Sequence, residues 1–153
     1  MNQVGRSLIP IFLALCICSC SRTAEEDDIC NRLAEVKEVP FRSTDPISDP
    51  AYRELRDSGL RAAPCLIDRL TDTTPMKDPR QAPFYNGFVI GDLAMILLAE
   101  LEQISLYEPL PEEYKSKAKT AGVYAYFEYV ETPSNRAALR DWWGRRLAAK
   151  LSH

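Results

Sequence analysis

Apolar positions recur along this chain in blocks of helical spacing, separated by breaks rich in proline and glycine. Ile29, Leu33 and Val36 stand four and three apart, which places them on one face of a helix. Thr23 and Glu26 have capping-box spacing ahead of that stripe, Glu25 to Asp28 favour the positive end of a helix dipole, and Pro40 ends the run. The stretch from Phe41 to Ser48, with Ser-Thr-Asp-Pro inside it, reads as loop. Asp49-Pro50 then supplies an N-cap and a first-turn proline for a short helix with Tyr52 and Leu55 on one side and Gly59 as its stop. A second helix starts near Ala63-Pro64 and repeats Leu66, Ile67 and Leu70 before Asp72. Two such helices a few residues apart predict an antiparallel hairpin.

From Thr71 to Ile90 the period disappears. The segment TDTTPMKDPRQAPFYNGFVI holds three prolines and the turn pair Asn86-Gly87, and reads as a loop longer than compact domains usually carry without a purpose. Gly91-Asp92 opens the most apolar helix, whose Leu93, Ala94, Ile96, Leu97, Leu98 and Leu101 cover more than one face and mark it as central. Pro111 to Ala121 predicts a polar helix closed by Gly122. Val123 to Val130 is two-sided: its β-branched and aromatic content suits a strand, while Val123, Tyr126, Phe127 and Val130 fit a helical face. The helix is preferred, because no partner strand is evident and a lone strand leaves its backbone unpaired. The last helix begins at Thr132-Pro133 and carries Leu139, Trp143, Leu147 and Leu151 four apart, with Arg140, Arg145, Arg146 and Lys150 towards its negative end. Gly144 inside it suggests a close helix contact beside Trp142 and Trp143. The expected architecture is all-α: short antiparallel hairpins packed into one compact domain over residues 29–153.

The opening residues follow a different pattern. Arg6 precedes an apolar run from Leu8 to Ile17 and then small residues, the layout of a secretory signal. That run is well short of the roughly 20 residues needed to cross a bilayer. Ile17-Cys18-Ser19-Cys20 resembles the bacterial lipobox, with an apolar residue, a tolerant position, a small residue and then the cysteine that receives lipid. The resemblance implies a lipoprotein signal peptide over residues 1–19, and over 20–28 a lipidated Cys20 followed by a polar tether. Two or more acyl chains would make the membrane anchor stable. Ser21 is not the aspartate that retains such proteins at the inner membrane, so the implied location is the outer membrane, facing the periplasm. Ordinary cleavage nearby, releasing a soluble protein, is the competing reading.

Under the lipobox reading Cys16 and Cys18 leave with the leader and Cys20 carries lipid, so Cys30 and Cys65 remain as a pair in an oxidising compartment. A disulfide between them is the economical expectation, against two free buried thiols. Losing Arg6 with the leader leaves eighteen basic against twenty-two acidic side chains. Phosphate-backbone binding needs a concentrated basic face, so no nucleic-acid role is expected.

Ala63-Pro64-Cys65-Leu66-Ile67-Asp68-Arg69-Leu70-Thr71-Asp72 resembles the second helix of a HEAT-type repeat, and Gly91-Asp92-Leu93-Ala94 through Leu101 resembles the first helix of a following unit. The resemblance spans about a third of the mature chain and implies a protein-binding scaffold, although the insertion between the units departs from a regular array. The mature region is also similar to small uncharacterised bacterial proteins sharing a Gly-Asp-Leu-Ala helix, a Tyr-Phe-x-Tyr-Val segment and an Asn-Arg…Trp-Trp ending. That likeness brings no activity with it.

Candidate chemistry is sparse. The sole histidine is the last residue, His153, which leaves no histidine-based triad or metal set, and no cofactor, metal or catalytic residue is expected. Asp68, Asp72, Asp78 and Asp92 flank the long loop and could serve carboxylate-dependent hydrolysis, but acids at helix ends are ordinary caps. Phe84, Tyr85 and Phe88 lie near Lys77 and Arg80 in that loop, and aromatic and arginine side chains are the usual anchors of protein interfaces. These five are the candidate partner contacts, weighed against a loop whose aromatics fold back onto the core. The expected function is a non-enzymatic protein-binding module of the cell envelope with an envelope protein as partner. The alternative is an immunity or inhibitor protein against a periplasmic toxin or cell-wall enzyme.

Overall fold

The computed structural model describes residues 29–40, 45–81 and 84–152. Cys20, the leader, the capping pair Thr23 and Glu26, and His153 lie outside the described residues. Within them the chain is helical: α1 Pro50–Asp57, α2 Ala63–Arg69, α3 Ile90–Leu101, α4 Glu112–Ala121, α5 Tyr124–Val130 and α6 Pro133–Leu151, with 3-10 turns at Arg32–Glu35 and Gly59–Ala62. No β-strand forms among the described residues, and the only β pairing there is an isolated bridge between Pro75 and Val89.

The starts of the helices follow their local chemistry. The Asp49 carboxylate accepts from the Tyr52 amide at 2.9 Å and caps α1, while its second oxygen accepts from the amides of Lys37 at 2.9 Å and Glu38 at 3.3 Å. One aspartate thus fixes both the helix and the preceding extended chain. Burial works to raise the Asp49 carboxyl, but these amide donors outweigh it and hold it below the usual carboxylate range. Proline in the first turn similarly opens α2 and α6. Residues 124–130 are a helix, with Ala125, Tyr126, Phe127, Tyr129 and Val130 buried.

α3 is the centre of the core. Leu93, Ala94, Met95, Leu97 and Leu98 are fully buried, and burying each leucine contributes about 1.5–3 kcal/mol. α2 packs along α3, and α1 and the Arg32–Glu35 turn close over it. The hairpin expected between α1 and α2 does not form. Each of these short helices packs on α3, and they are joined through the Gly59–Ala62 turn; an all-round apolar helix offers each of them more surface than they offer each other. α6 packs on α2 and α5, and α4 on α5. Cys30 and Cys65 are joined as a disulfide, with Cα atoms 6.1 Å apart, tying the first described residues to α2.

Three expectations about the helical ends need correction. The first stripe does not run as one helix to Pro40: a 3-10 turn ends at Glu35 and Val36 is extended, although Leu33 and Val36 are buried as the spacing requires. In α6, Leu139 and Trp143 are buried but Leu151 is 80% exposed, because the helix outruns the elements that cover it. Gly144 has open space where a side chain would stand, so no close helix contact explains it.

Candidate interaction surface at the long loop

The 71–90 segment is built by a few polar side chains acting on the backbone. Asp72 accepts from the Thr74 amide at 2.9 Å, turning the chain away from α2. The outgoing and returning arms then pair: the Met76 amide donates to the Phe88 carbonyl at 3.0 Å, and the Ile90 amide to the Thr74 carbonyl at 3.1 Å. Between the arms, Asp78 is the tie. Its Oδ1 accepts from the Arg80 amide at 3.0 Å and from Arg80 Nε at 2.9 Å, while Oδ2 accepts from the Tyr85 amide at 2.8 Å. Burial pushes the Asp78 carboxyl up, yet Arg80 and the amide donors prevail and hold it ionised below the usual range.

Arg80 is thereby drawn inward. Its guanidinium lies 4.7 Å from the centre of the Phe127 ring and 5.4 Å from that of Phe88, an arrangement that adds cation–π attraction to the ion pair. Tyr85 stacks on Phe127 with ring centres 4.0 Å apart and planes 12° apart, and its hydroxyl donates to Glu131 at 3.3 Å. Gly87 lets this happen, since a Cβ there would stand 2.9 Å from the Tyr85 ring. Phe88 is buried.

The five residues singled out by the sequence therefore divide. Phe84 is 60% exposed and Lys77 is exposed; Tyr85 is half-buried; Arg80 and Phe88 belong to the inner support. The structure adds Tyr124, 46% exposed on α5, whose hydroxyl donates to the Phe84 carbonyl at 3.3 Å. Phe84 and Tyr124, linked by that hydrogen bond, together make an exposed aromatic shelf beside the Tyr85–Phe127 stack. Asp78 and Phe127, which support the loop there, were legible only as one acid among several and as part of a helical stripe. Tyr124 lies outside the core set of that stripe, and this is the signal that marks it as outward-facing.

A second cluster lies beneath the loop. Asp92 in the first turn of α3 is wholly buried; its Oδ2 accepts from the Val89 amide at 3.0 Å, and its Oδ1 accepts from the Tyr126 hydroxyl at 3.0 Å and Arg136 Nη2 at 2.9 Å. Its capping role was legible; its pairing with Arg136 was not. Burial holds the Asp92 carboxyl above the usual range against the pull of Arg136, and raises the Tyr126 hydroxyl as well. Gly91 allows the close approach of these elements: a Cβ there would meet the Leu70 carbonyl at 2.6 Å and Arg136 Nη1 at 3.1 Å. Gly91, Asp92, Tyr126 and Arg136 meet at this junction, which joins α3, α5 and α6.

The acids considered for hydrolysis are distributed differently from a carboxylate pair in a cleft. Asp72 and Asp78 hold the loop backbone, Asp92 is sealed against Arg136, and Asp68 is exposed on α2. No group of three or more histidine, cysteine or acidic residues among the described residues is placed to hold a metal. No described helix is long and apolar enough to cross a membrane. No family model matches the chain, nor does any curated protein or solved structure.

Proposed function

We propose that this protein is a non-enzymatic binding module of the cell envelope, held at the membrane through Cys20, and that it engages a protein partner with the Phe84–Tyr124 shelf. The observation that carries this reading is the contrast within one loop: Phe84 is 60% exposed while its neighbour Tyr85 is stacked and hydrogen-bonded in place. Tyr85 holds the backbone beside Phe84, so a partner that covers this large apolar ring orders little more than the ring's own two side-chain torsions. Arg80 and Phe88 act beneath it by holding the loop, and Lys77 is exposed on the same loop.

The anchor is supported by the Ile17 to Cys20 context. Changing Cys20→Ala should abolish incorporation of labelled fatty acid in cells, and persistent labelling of the variant would remove the lipoprotein reading. The shelf is tested separately by a Phe84→Ala/Tyr124→Ala variant. Loss of two anchors should weaken partner capture from the native envelope at least about tenfold, since each truncation commonly costs more than 1 kcal/mol, and helical content should be unchanged. Unaltered capture by the folded double variant would eliminate this surface as the binding site.

A further inference from the structure

The turn pair Asn86-Gly87 supports the Tyr85 stack through its glycine, while the asparagine side chain holds nothing. Asn86 is exposed, and neither its side chain nor the Gly87 amide makes a hydrogen bond among the described residues. The turn is closed by the Phe88 amide donating to the Tyr85 carbonyl at 3.2 Å, at the long end of such bonds, so local opening here costs little. The other described asparagines, Asn31 and Asn135, differ in each respect. Asn31 accepts from Arg69 Nη2 at 3.0 Å and is followed by the bulky Arg32. Asn135 donates from Nδ2 to the Tyr129 carbonyl at 2.8 Å, and the amide that follows it lies within α6.

Gly87 is also required where it stands. A Cβ there would lie 2.9 Å from Tyr85 Cε1 and 3.1 Å from the Tyr85 hydroxyl oxygen, so a side chain that would crowd and shield the Gly87 amide cannot be added without disturbing the stack. The residue that lets Tyr85 pack on Phe127 is thus the one that leaves the neighbouring asparagine open to attack.

We infer that Asn86 is a site of spontaneous covalent modification, deamidating through a cyclic imide to isoaspartate and aspartate. The Gly87 nitrogen attacks Asn86 Cγ. As the N–Cγ bond forms the Cγ–Nδ2 bond breaks, and Nδ2 leaves as ammonia with the proton given up by the Gly87 amide. Water then opens the ring, and nothing is oxidised or reduced. Breaking the N–Cγ bond leaves aspartate; breaking the bond between the Gly87 nitrogen and the main-chain carbonyl carbon of Asn86 leaves isoaspartate. Both products add a negative charge to the turn, whose Tyr85 hydroxyl donates to Glu131. Only isoaspartate also lengthens the backbone between Tyr85 and Gly87, by one carbon, and so shifts Gly87 against the Tyr85 ring. The modification concerns the turn itself and does not rest on what the Phe84–Tyr124 shelf binds.

The folded full chain should be aged in warm, mildly alkaline heavy-oxygen water, then digested in ordinary water and its peptides weighed, so that conversion during digestion carries no label. Asn86 should convert at least about tenfold faster than Asn31 or Asn135, each of which must first release the hydrogen bond its side chain holds. Asn86→Gln should show no labelled conversion at this position. The isoaspartyl form, separated by chromatography, should melt several degrees below the fresh protein, whereas Asn86→Asp should melt close to it. An Asn86 that stays intact in the folded chain, or conversion at Asn31 or Asn135 that keeps pace with it, would overturn the site. An isoaspartyl form that melts with the fresh protein would overturn the link to the Tyr85 stack.

Discussion

Arg136→Met should destabilise the protein by about 3–5 kcal/mol, the usual cost of leaving a buried charge without its partner. Asp92 is wholly buried and its oxygens are shared among Arg136, Tyr126 and the Val89 amide; without the guanidinium its charge has only two neutral donors left. The dependence on pH follows from the direction of the shift. Burial raises the Asp92 carboxyl above 3.8, and losing Arg136 raises it further, so the folded variant holds a proton that the unfolded chain releases. Its deficit should therefore be smallest in acid and grow as pH rises past the ordinary carboxylate value. Adding Asp92→Asn should recover part of the loss, because the amide oxygen still accepts a hydrogen bond but carries no charge. Urea melts of the two variants across pH decide this; a deficit independent of pH and worsened by Asp92→Asn would show that the ion pair is not the reason Arg136 matters.

The second large effect belongs to the disulfide. Cys30 and Cys65 are 35 residues apart, and releasing a loop of that size should cost about 4 kcal/mol in the chain-entropy treatment. For a domain of this size that corresponds to a fall of roughly 10–20 °C in melting temperature. Melting the oxidised protein beside a Cys30→Ala/Cys65→Ala variant measures it. Both sulfurs are buried, so the variant also loses a little packing; a fall of only a few degrees would mean that the unfolded chain is already constrained in this region.

What was legible in the sequence was decided by neighbours in the chain. Asp49-Pro50 and Thr132-Pro133 start helices because a cap and a fixed φ act within one turn, and the breaks of period at 71–90 mark a loop whatever lies around it. The helix at 124–130 followed from an argument about pairing: a strand needs a partner, and none was present to supply one. Arg136 was not legible as a partner of Asp92, because the two are 44 residues apart and nothing in either segment specifies the other. Gly144 and Leu151 misled for a related reason. A stripe tells which way a helix faces, but not how far the neighbouring elements extend along it. In the loop, residue type identified an aromatic and cationic cluster, whereas the division between Phe84 outside and Arg80 inside depends on Asp78, whose position under the loop comes from backbone geometry.

The placement of the covalent link also sets how tension would pass through the molecule. A pull entering from the N-terminal side of Cys30 crosses the sulfur bridge directly into α2, so residues 31–64 carry none of it. α1, and the chain that Asp49 pins beside it, are bypassed as a slack loop. The load then meets α2 where it is laid against α3 and α6, and separating those helices demands that much of the core yield together. A pull on the C-terminal side meets no such bridge: α6 can be peeled from its exposed end, turn by turn, first against the ion pairs of Lys150 and Arg146 with Glu102 and then against the buried Trp143 and Arg136. The protein is therefore mechanically asymmetric, hard to unravel from the end where its chain enters and easier from the end where it leaves.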